Sequence, residues 1–277
     1  MSENIKRTVL DYNDIAAMMP QLAGHEKLVN KVIHWISLDK VNAVHDKYCD
    51  HPGPEFTRNL LKDFDITLRV DGKEVLDHLP EGAFITVSNH PFGALDGISL
   101  ISLIGSLRPE FKVMVNMVLN HISAMRPNFI AVDALASDDP AKKAVSMKGI
   151  KEAIMQVRRG NPIGFFPAGA VSKINGKLRI EDREWQPSII RLIQQLNVPV
   201  IPIYFHGHNS TWFNILGMID WRLRTLRLPA EVWRKCHTEI HISVGDIISP
   251  EELKKYPEVG ELGQFLKDKT YQLRSRR

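Results

Sequence analysis

Cys49 and Cys236 are the only cysteines in a chain of 277 residues. Two are too few for a disulfide framework, and their spacing is not that of metal ligands, so stapled secreted modules and zinc modules are excluded and a reducing compartment is expected. A long apolar run is also missing. The most apolar stretch, residues 188–205, is interrupted by Arg191, Gln194, Gln195, Asn197, Pro199 and Pro202, so no spanning helix is expected and any membrane contact must be peripheral. Charge of one sign is not in excess: 36 Lys and Arg face 32 Asp and Glu, for a formal charge of +4. That balance is too mild for a nucleic-acid binder, and no nucleic-acid partner is expected. There is no repeat and no low-complexity tract, and Gly and Pro are scattered instead of forming a linker. The opening MSENIKRTVLDYND is polar where a secretory signal needs an apolar core. The expected location is cytoplasmic, peripheral on the inner face of the membrane.

What is present is a chain with 44% hydrophobic residues, enough for one large domain with a deep core. Residues 11–64 read as helices: Leu28, Val32, Trp35 and Ile36 share one face, and Pro54-Glu55 opens a helix carrying Phe56, Leu60 and Leu61. From Asp65 the texture changes to short β-rich runs at 66–70, 84–88, 112–115, 162–166, 198–205 and 238–244. Helical spacing returns between them, with Ile150, Ala153, Ile154 and Val157 stopped by Gly160, and with Ile189, Ile193 and Leu196. Alternating strands and helices predict an α/β fold, a largely parallel central sheet flanked by helices, behind an N-terminal helical segment at 1–64. In such sheets chemistry gathers at the carboxyl ends of strands, and two segments of this chain stand there.

The first follows the strand at 84–88 and runs Asn89-His90-Pro91-Phe92-Gly93-Ala94-Leu95-Asp96-Gly97 into an apolar helix. A histidine held in one tautomer by a carboxylate is a base suited to neutral pH, able to deprotonate an attacking hydroxyl. Pro91 fixes one dihedral and Gly93 allows a φ closed to other residues, so the turn can fold Asp96 back onto His90. The structural alternative makes Asp96 an N-terminal helix cap. The second segment ends the strand at 162–166 with Pro167-Ala168-Gly169-Ala170-Val171-Ser172-Lys173. Its small residues let backbone N–H groups approach an anion or oxyanion, and Ser172 and Lys173 add a hydroxyl and a charge. Taken alone it reads better as an ordinary turn with a solvated lysine.

Together these blocks resemble the lysophosphatidic acid acyltransferase family, whose pattern is Asn-His followed by Asp, then Phe-Pro-Glu-Gly-Thr-Arg-Ser, then Val-Pro-x-x-Pro. Here they read Asn89-His90 with Asp96, Phe166 to Ser172, and Val198-Pro199-Val200-Ile201-Pro202, in the same order. A weaker block, Arg126-Pro127-Asn128-Phe129-Ile130-Ala131-Val132-Asp133, stands between them. The resemblance covers roughly Ala83 to Gly207 and implies a glycerolipid acyltransferase-like domain at 65–277 with its catalytic core at about 83–207. It implies His90 and Asp96 as the catalytic pair, and substrate binding by Asn89, Gly93, Arg126, Pro167, Gly169, Ala170, Ser172 and Lys173. The implied co-substrate is a thioester of acyl carrier protein or coenzyme A, with no cofactor and no metal; the acceptor is a lyso-lipid. The sequence departs from the pattern in three ways. Five residues separate His90 from Asp96 where the family has four, Ala168 replaces the loop's Glu, and Val171 replaces its Arg. The spacing resembles the branch of hemolysin-like and aminolipid acyltransferases. Losing the arginine fork favours a lyso-aminolipid acceptor over lysophosphatidic acid.

Residues 211–227 place Trp212, Ile215, Leu216, Ile219, Leu223 and Leu226 on one helical face, with Trp221 nearby and Arg222, Arg224 and Arg227 towards the other side. This suits a helix lying on anionic lipid, with Trp212, Trp221 and the three arginines in contact with the membrane, and equally a surface helix packed on the sheet. Two other functions stay open: an N-acyltransferase making an acyl amino acid, and a non-catalytic, hemolysin-like membrane-binding protein. The second needs neither His90 nor Asp96.

Overall fold

The computed structural model describes residues 6–133, 140–175, 179–219, 224 and 227–275, the side chains of 140–142 excepted. Its centre is a seven-stranded sheet in the order β1-β9-β8-β2-β5-β3-β4, formed by β1 (Thr67–Asp71), β2 (Ile85–Ser88), β3 (Lys112–Asn116), β4 (Phe129–Val132), β5 (Ile163–Phe165), β8 (Val200–Phe205) and β9 (Glu239–Val244). A separate antiparallel pair joins β6 (Lys173–Ile174) to β7 (Ile180–Glu181). Within the large sheet every neighbouring pair is parallel except β8 with β9. The sheet is thus the largely parallel one expected from the sequence.

Strands covered on both faces read as continuous apolar runs, and β2 and β8 are buried along their whole length. On one face Phe84, Val113, Ile203 and Ile242 meet Phe56, Leu60 and Phe64 from α4 (Pro54–Asp63) and its end, and Leu100 and Ile101 from α6 (Ala94–Leu103). On the other, Ile85, Val87, Ile163 and Phe165 meet Ala153 and Val157 of α7 (Pro140–Arg158), Ile190 and Ile193 of α8 (Pro187–Leu196), and Leu262 and Leu266 of α12 (Val259–Gln272). Each such Val, Leu, Ile or Phe side chain, fully buried, contributes about 1.5–3 kcal/mol. The short helices α5 (Lys73–Leu76) and α11 (Pro250–Leu253) follow β1 and β9.

Ahead of α4 lie α1 (Tyr12–Met18), α2 (Glu26–Trp35) and α3 (Leu38–Tyr48), which share a small core of Val29, Ile33 and Leu38. The shared face read from the sequence is therefore not the buried one. Val29 and Ile33 turn inward, while Leu28, Val32 and Trp35 remain exposed, Trp35 by 59%. Helices α9 (Thr211–Ile219) and α10 (Leu228–Arg234) lie between β8 and β9. Among the described residues no helix is long and apolar enough to cross a membrane.

Candidate active site

β2 is the middle strand of the sheet, and at its carboxyl end the backbone leaves the ladder while a side chain continues it. The Asn89 amide donates to Phe205 O (2.9 Å) and accepts from Phe205 N (2.7 Å), extending the pairing with β8 by one step. The chain then turns through residues 90–93, and α6 begins at Ala94 with Gly93 as its N-cap. Gly93 has φ +79°, and a Cβ there would lie 2.8 Å from Leu228 Cδ2, so the turn needs glycine for both conformation and space. Asp96, at the third position of the helix, returns its Oδ2 to the N–H groups of Phe92 and Gly93 (both 2.9 Å) and to within 2.9 Å of His90 Nδ1. The ring N–H does not point straight at that oxygen, so the apposition is of hydrogen-bond length but bent. Asp96 is fully buried and His90 is 18% exposed. Burial pushes the Asp96 pKa up, against His90 and the two N–H groups, which pull it down.

β5 neighbours β2, so the loop that follows it returns beside the same turn. The Phe166 ring stacks on the His90 imidazole with centroids 4.2 Å apart, and Ser172 N donates to His90 O (2.9 Å). Asp182 ties the two segments together: its Oδ1 accepts from His90 N (3.1 Å) and from Ser172 Oγ (2.6 Å), and its Oδ2 from Trp185 Nε1 (3.3 Å). Its own N–H donates to the Tyr271 hydroxyl on α12 (2.9 Å). Burial raises the Asp182 pKa, opposed by the Ser172 hydroxyl, the His90 N–H and the His90 ring. Gly169 has φ +65° and packs so close to the Gln186 amide that a Cβ would collide with it. Chemically, the arrangement holds an imidazole by Nδ1 and leaves Nε2 to take up and return a proton, beside a loop that still has N–H groups to offer. Among the described residues no group of His, Cys, Asp and Glu side chains has the arrangement of a metal site.

Comparison with known proteins matches residues 13–276 to a family model described as Acyltransferase. The chain belongs to this acyltransferase family. The acyltransferase is 25% identical over 254 residues to a lyso-glycine lipid O-acyltransferase of Phocaeicola vulgatus, covering 89% of this chain and 87% of that protein. It is 26% identical over 257 residues to the protein of the same name from Bacteroides thetaiotaomicron, covering 88% of each. Among solved structures it is similar to the 1-acyl-sn-glycerophosphate (LPA) acyltransferase PlsC of Thermotoga maritima, with TM-score 0.44, 17% identity, and 80% and 83% of the two chains covered.

The acyltransferase brings His90, Asp96, Gly93, Pro167, Gly169, Ala170 and Ser172 together at one end of the sheet. Asn89 and Ser172, expected to bind substrate, spend their described hydrogen bonds on protein partners, Phe205 and Asp182. Lys173 is exposed at the start of β6. Arg126 is a correction. It precedes β4, whose amino end lies at the edge of the sheet opposite His90, donates to Asn120 O (2.7 Å) and acts electrostatically on His45 of α3. Arg224 is another. It is 6% exposed, donates to the carbonyls of Val171 and Ser172 (3.2 Å each) and covers the Phe213 ring, so it props the loop from within and does not face lipid. Trp212 is exposed, and Arg227 lies over the Trp35 ring at 5.8 Å. Trp221 and Arg222 lie outside the described residues. Asp182 was not foreseen. Its only signal was an acidic residue three positions ahead of Trp185 in a short polar stretch, without periodicity to mark it.

Proposed function

We propose that the protein moves a fatty acyl group from the thioester of acyl carrier protein or coenzyme A to the hydroxyl of a lyso-aminolipid bearing a carboxylate, as in the glycine-lipid class. The observation that carries this is His90 held at Nδ1 by a fully buried Asp96 within an acyltransferase chain. His90 Nε2 takes the proton of the acceptor hydroxyl as its oxygen attacks the thioester carbonyl. The tetrahedral intermediate then expels the thiolate, His90 returns the proton to sulfur, and an ester and a free thiol result. Among the described residues the N–H groups of Ala170 and Val171 have no hydrogen-bond partner, and they are the loop's candidates to receive the oxyanion. Asp96 keeps the imidazole in the tautomer that presents Nε2.

Two observations support the acceptor: the names of the two relatives, and Val171 standing where an arginine fork would meet a phosphate. The protein works at a membrane surface in this reading, since Leu28, Val32 and Trp35 on α2 and Trp212, Met218 and Ile219 on α9 are exposed apolar side chains, with Arg227 beside Trp35. The deciding experiment incubates purified protein with acyl-carrier-protein and coenzyme A thioesters and a panel of lyso-glycine lipid, lyso-ornithine lipid and lysophosphatidic acid, with products read by mass spectrometry. Ester formation on the lyso-aminolipids, lost in His90→Ala, is the expected result. Acylation of amines only, or of lysophosphatidic acid tenfold faster than any aminolipid, would overturn it.

A further inference from the structure

Beyond the turn and loop already described, one charged side chain touches the catalytic turn without a counter-ion. Lys235 follows α10 and is half-buried. Its Nζ lies 4.7 Å from the centre of the Phe92 ring and donates to His208 O (3.0 Å); among the described residues no carboxylate stands within ion-pair distance of it. Burial lowers its pKa, while the more distant charges of Glu231 and Asp96 pull it back up. A desolvated ammonium resting on a carbonyl and a ring is a cation whose anion has yet to arrive.

Lys235 also lines a cleft of about 520 Å³ with His208, Asn209, Ser210, Trp212 and Arg234. The loop after β8 that lines this cleft packs against the catalytic turn. The loop after β8 lies so close to the turn that a Cβ on Gly207 would come within 3.0 Å of the Phe92 ring. One acidic group borders it, but Glu231 is already committed, accepting from Ser210 N and Ser210 Oγ (2.7 Å each) with Arg234 Nε 3.6 Å away. Asn209 stands beside the cleft. It is 2% exposed, and neither its amide oxygen nor its amide nitrogen has a hydrogen-bond partner, which is rare for buried polar atoms.

We propose that this cleft is the head-group site of the acceptor, with Lys235 binding the acceptor's carboxylate and thereby directing its hydroxyl towards His90. The inference rests on the acyl-transfer reading above. With Arg234 set against Glu231, Lys235 leaves the cleft one uncompensated positive charge, which matches one negative charge; a phosphate monoester, with close to two, would be left underpaired. The site also accounts for how the chain manages without an arginine at position 171: the cation reaches the turn from α10, across Phe92, and not from the loop.

Kinetics with lyso-glycine lipid and with its uncharged methyl ester test it. In wild type the ester should show a KM about tenfold higher than the acid, with kcat within about twofold, as expected for the loss of a charge-assisted contact. Lys235→Gln should raise the KM of the acid to that of the ester and leave the ester unchanged, and Lys235→Arg should restore most of the difference. If wild type does not distinguish acid from ester, the proposal fails even should Lys235→Gln prove unstable. A rise confined to the KM of the acyl thioester would assign Lys235 to a phosphate of the donor and also overturn it. Absence of any acylated lyso-lipid in wild type would instead bring down the acyl-transfer reading on which it stands.

Discussion

The two turns at the carboxyl end of the sheet are neighbours in space but are built in opposite ways. The His90 turn organises itself: Asp96 closes back onto Phe92, Gly93 and His90, all within six residues. The 166–172 loop is held from outside by Asp182, Gln186 and Arg224, the last from 52 residues away. A local turn tolerates change elsewhere because its geometry is set by its own caps, while a loop braced by distant groups moves when any of them is altered. The first suits a pair of groups that must stay in register for proton transfer, and the second a surface that must admit a substrate.

The sharpest break of this contrast is removal of the base. His90→Ala should lower acyl transfer by roughly 10²–10⁴-fold without unfolding the protein, and Asp96→Asn should leave a small residual rate at an unchanged or slightly higher Tm, because the amide oxygen can still accept the Phe92 and Gly93 N–H groups while a costly buried charge is gone. A His90→Ala enzyme as active as wild type would end the catalytic reading.

The next test attacks the outside brace. Asp182→Ala leaves the His90 N–H and the Ser172 hydroxyl without their acceptor, an expected loss of about 1–3 kcal/mol of stability by calorimetry. Asp182→Asn keeps an acceptor for both, so its losses of stability and of kcat should be smaller than those of Asp182→Ala. A wild-type Tm and kcat in Asp182→Ala would show that neither segment depends on Asp182.

Arg224→Gln against Arg227→Gln separates loop support from surface charge. The first should lower Tm and kcat and leave sedimentation with anionic vesicles unchanged, and the second should weaken vesicle binding by about 1 kcal/mol. Equal vesicle binding by Arg227→Gln and wild type would move the membrane contact elsewhere.

The smallest effect is a control beyond both turns. His206, at the end of β8, stacks on His241 with ring centroids 3.9 Å apart, and burial, helped by His241, pulls its pKa down to about 4. The folded protein therefore binds fewer protons than the unfolded chain between about 6.5 and about 4. Its contribution to stability is present above about 6.5 and is lost as pH falls to about 4. Tm measured across that range should fall less steeply with acidification in His206→Gln than in wild type; parallel curves would exclude His206 as a source of the slope.

The same contrast explains what was legible in the sequence. The sheet was readable because strands buried on both faces are unbroken apolar runs, as at 200–205. The His90 turn was readable because its partners are adjacent in the chain. Arg224 was misread because its spacing from Arg227 marks a helical face, whereas its environment comes from the carbonyls of Val171 and Ser172. In α2 the spacing showed a helix but not its buried side: Leu28, Val32 and Trp35 do share a face, but α1 and α3 cover the neighbouring face carrying Val29 and Ile33. Asp182 and Lys235 were invisible because neither has periodicity or a motif, only a position created by the fold.

The hydroxyl of Tyr271, near the end of α12, receives the N–H of Asp182, whose carboxylate receives the N–H of His90. Likewise β1 finds its neighbour β9 only about 170 residues later in the chain. During synthesis, then, the local His90 turn can form early while its support is still inside the ribosome, and long-range pairing of this kind is the slow part of folding. A chain cut short of α12 would carry the His90 turn, closed by its own Asp96, without the Tyr271–Asp182 link that ties this turn to the 166–172 loop.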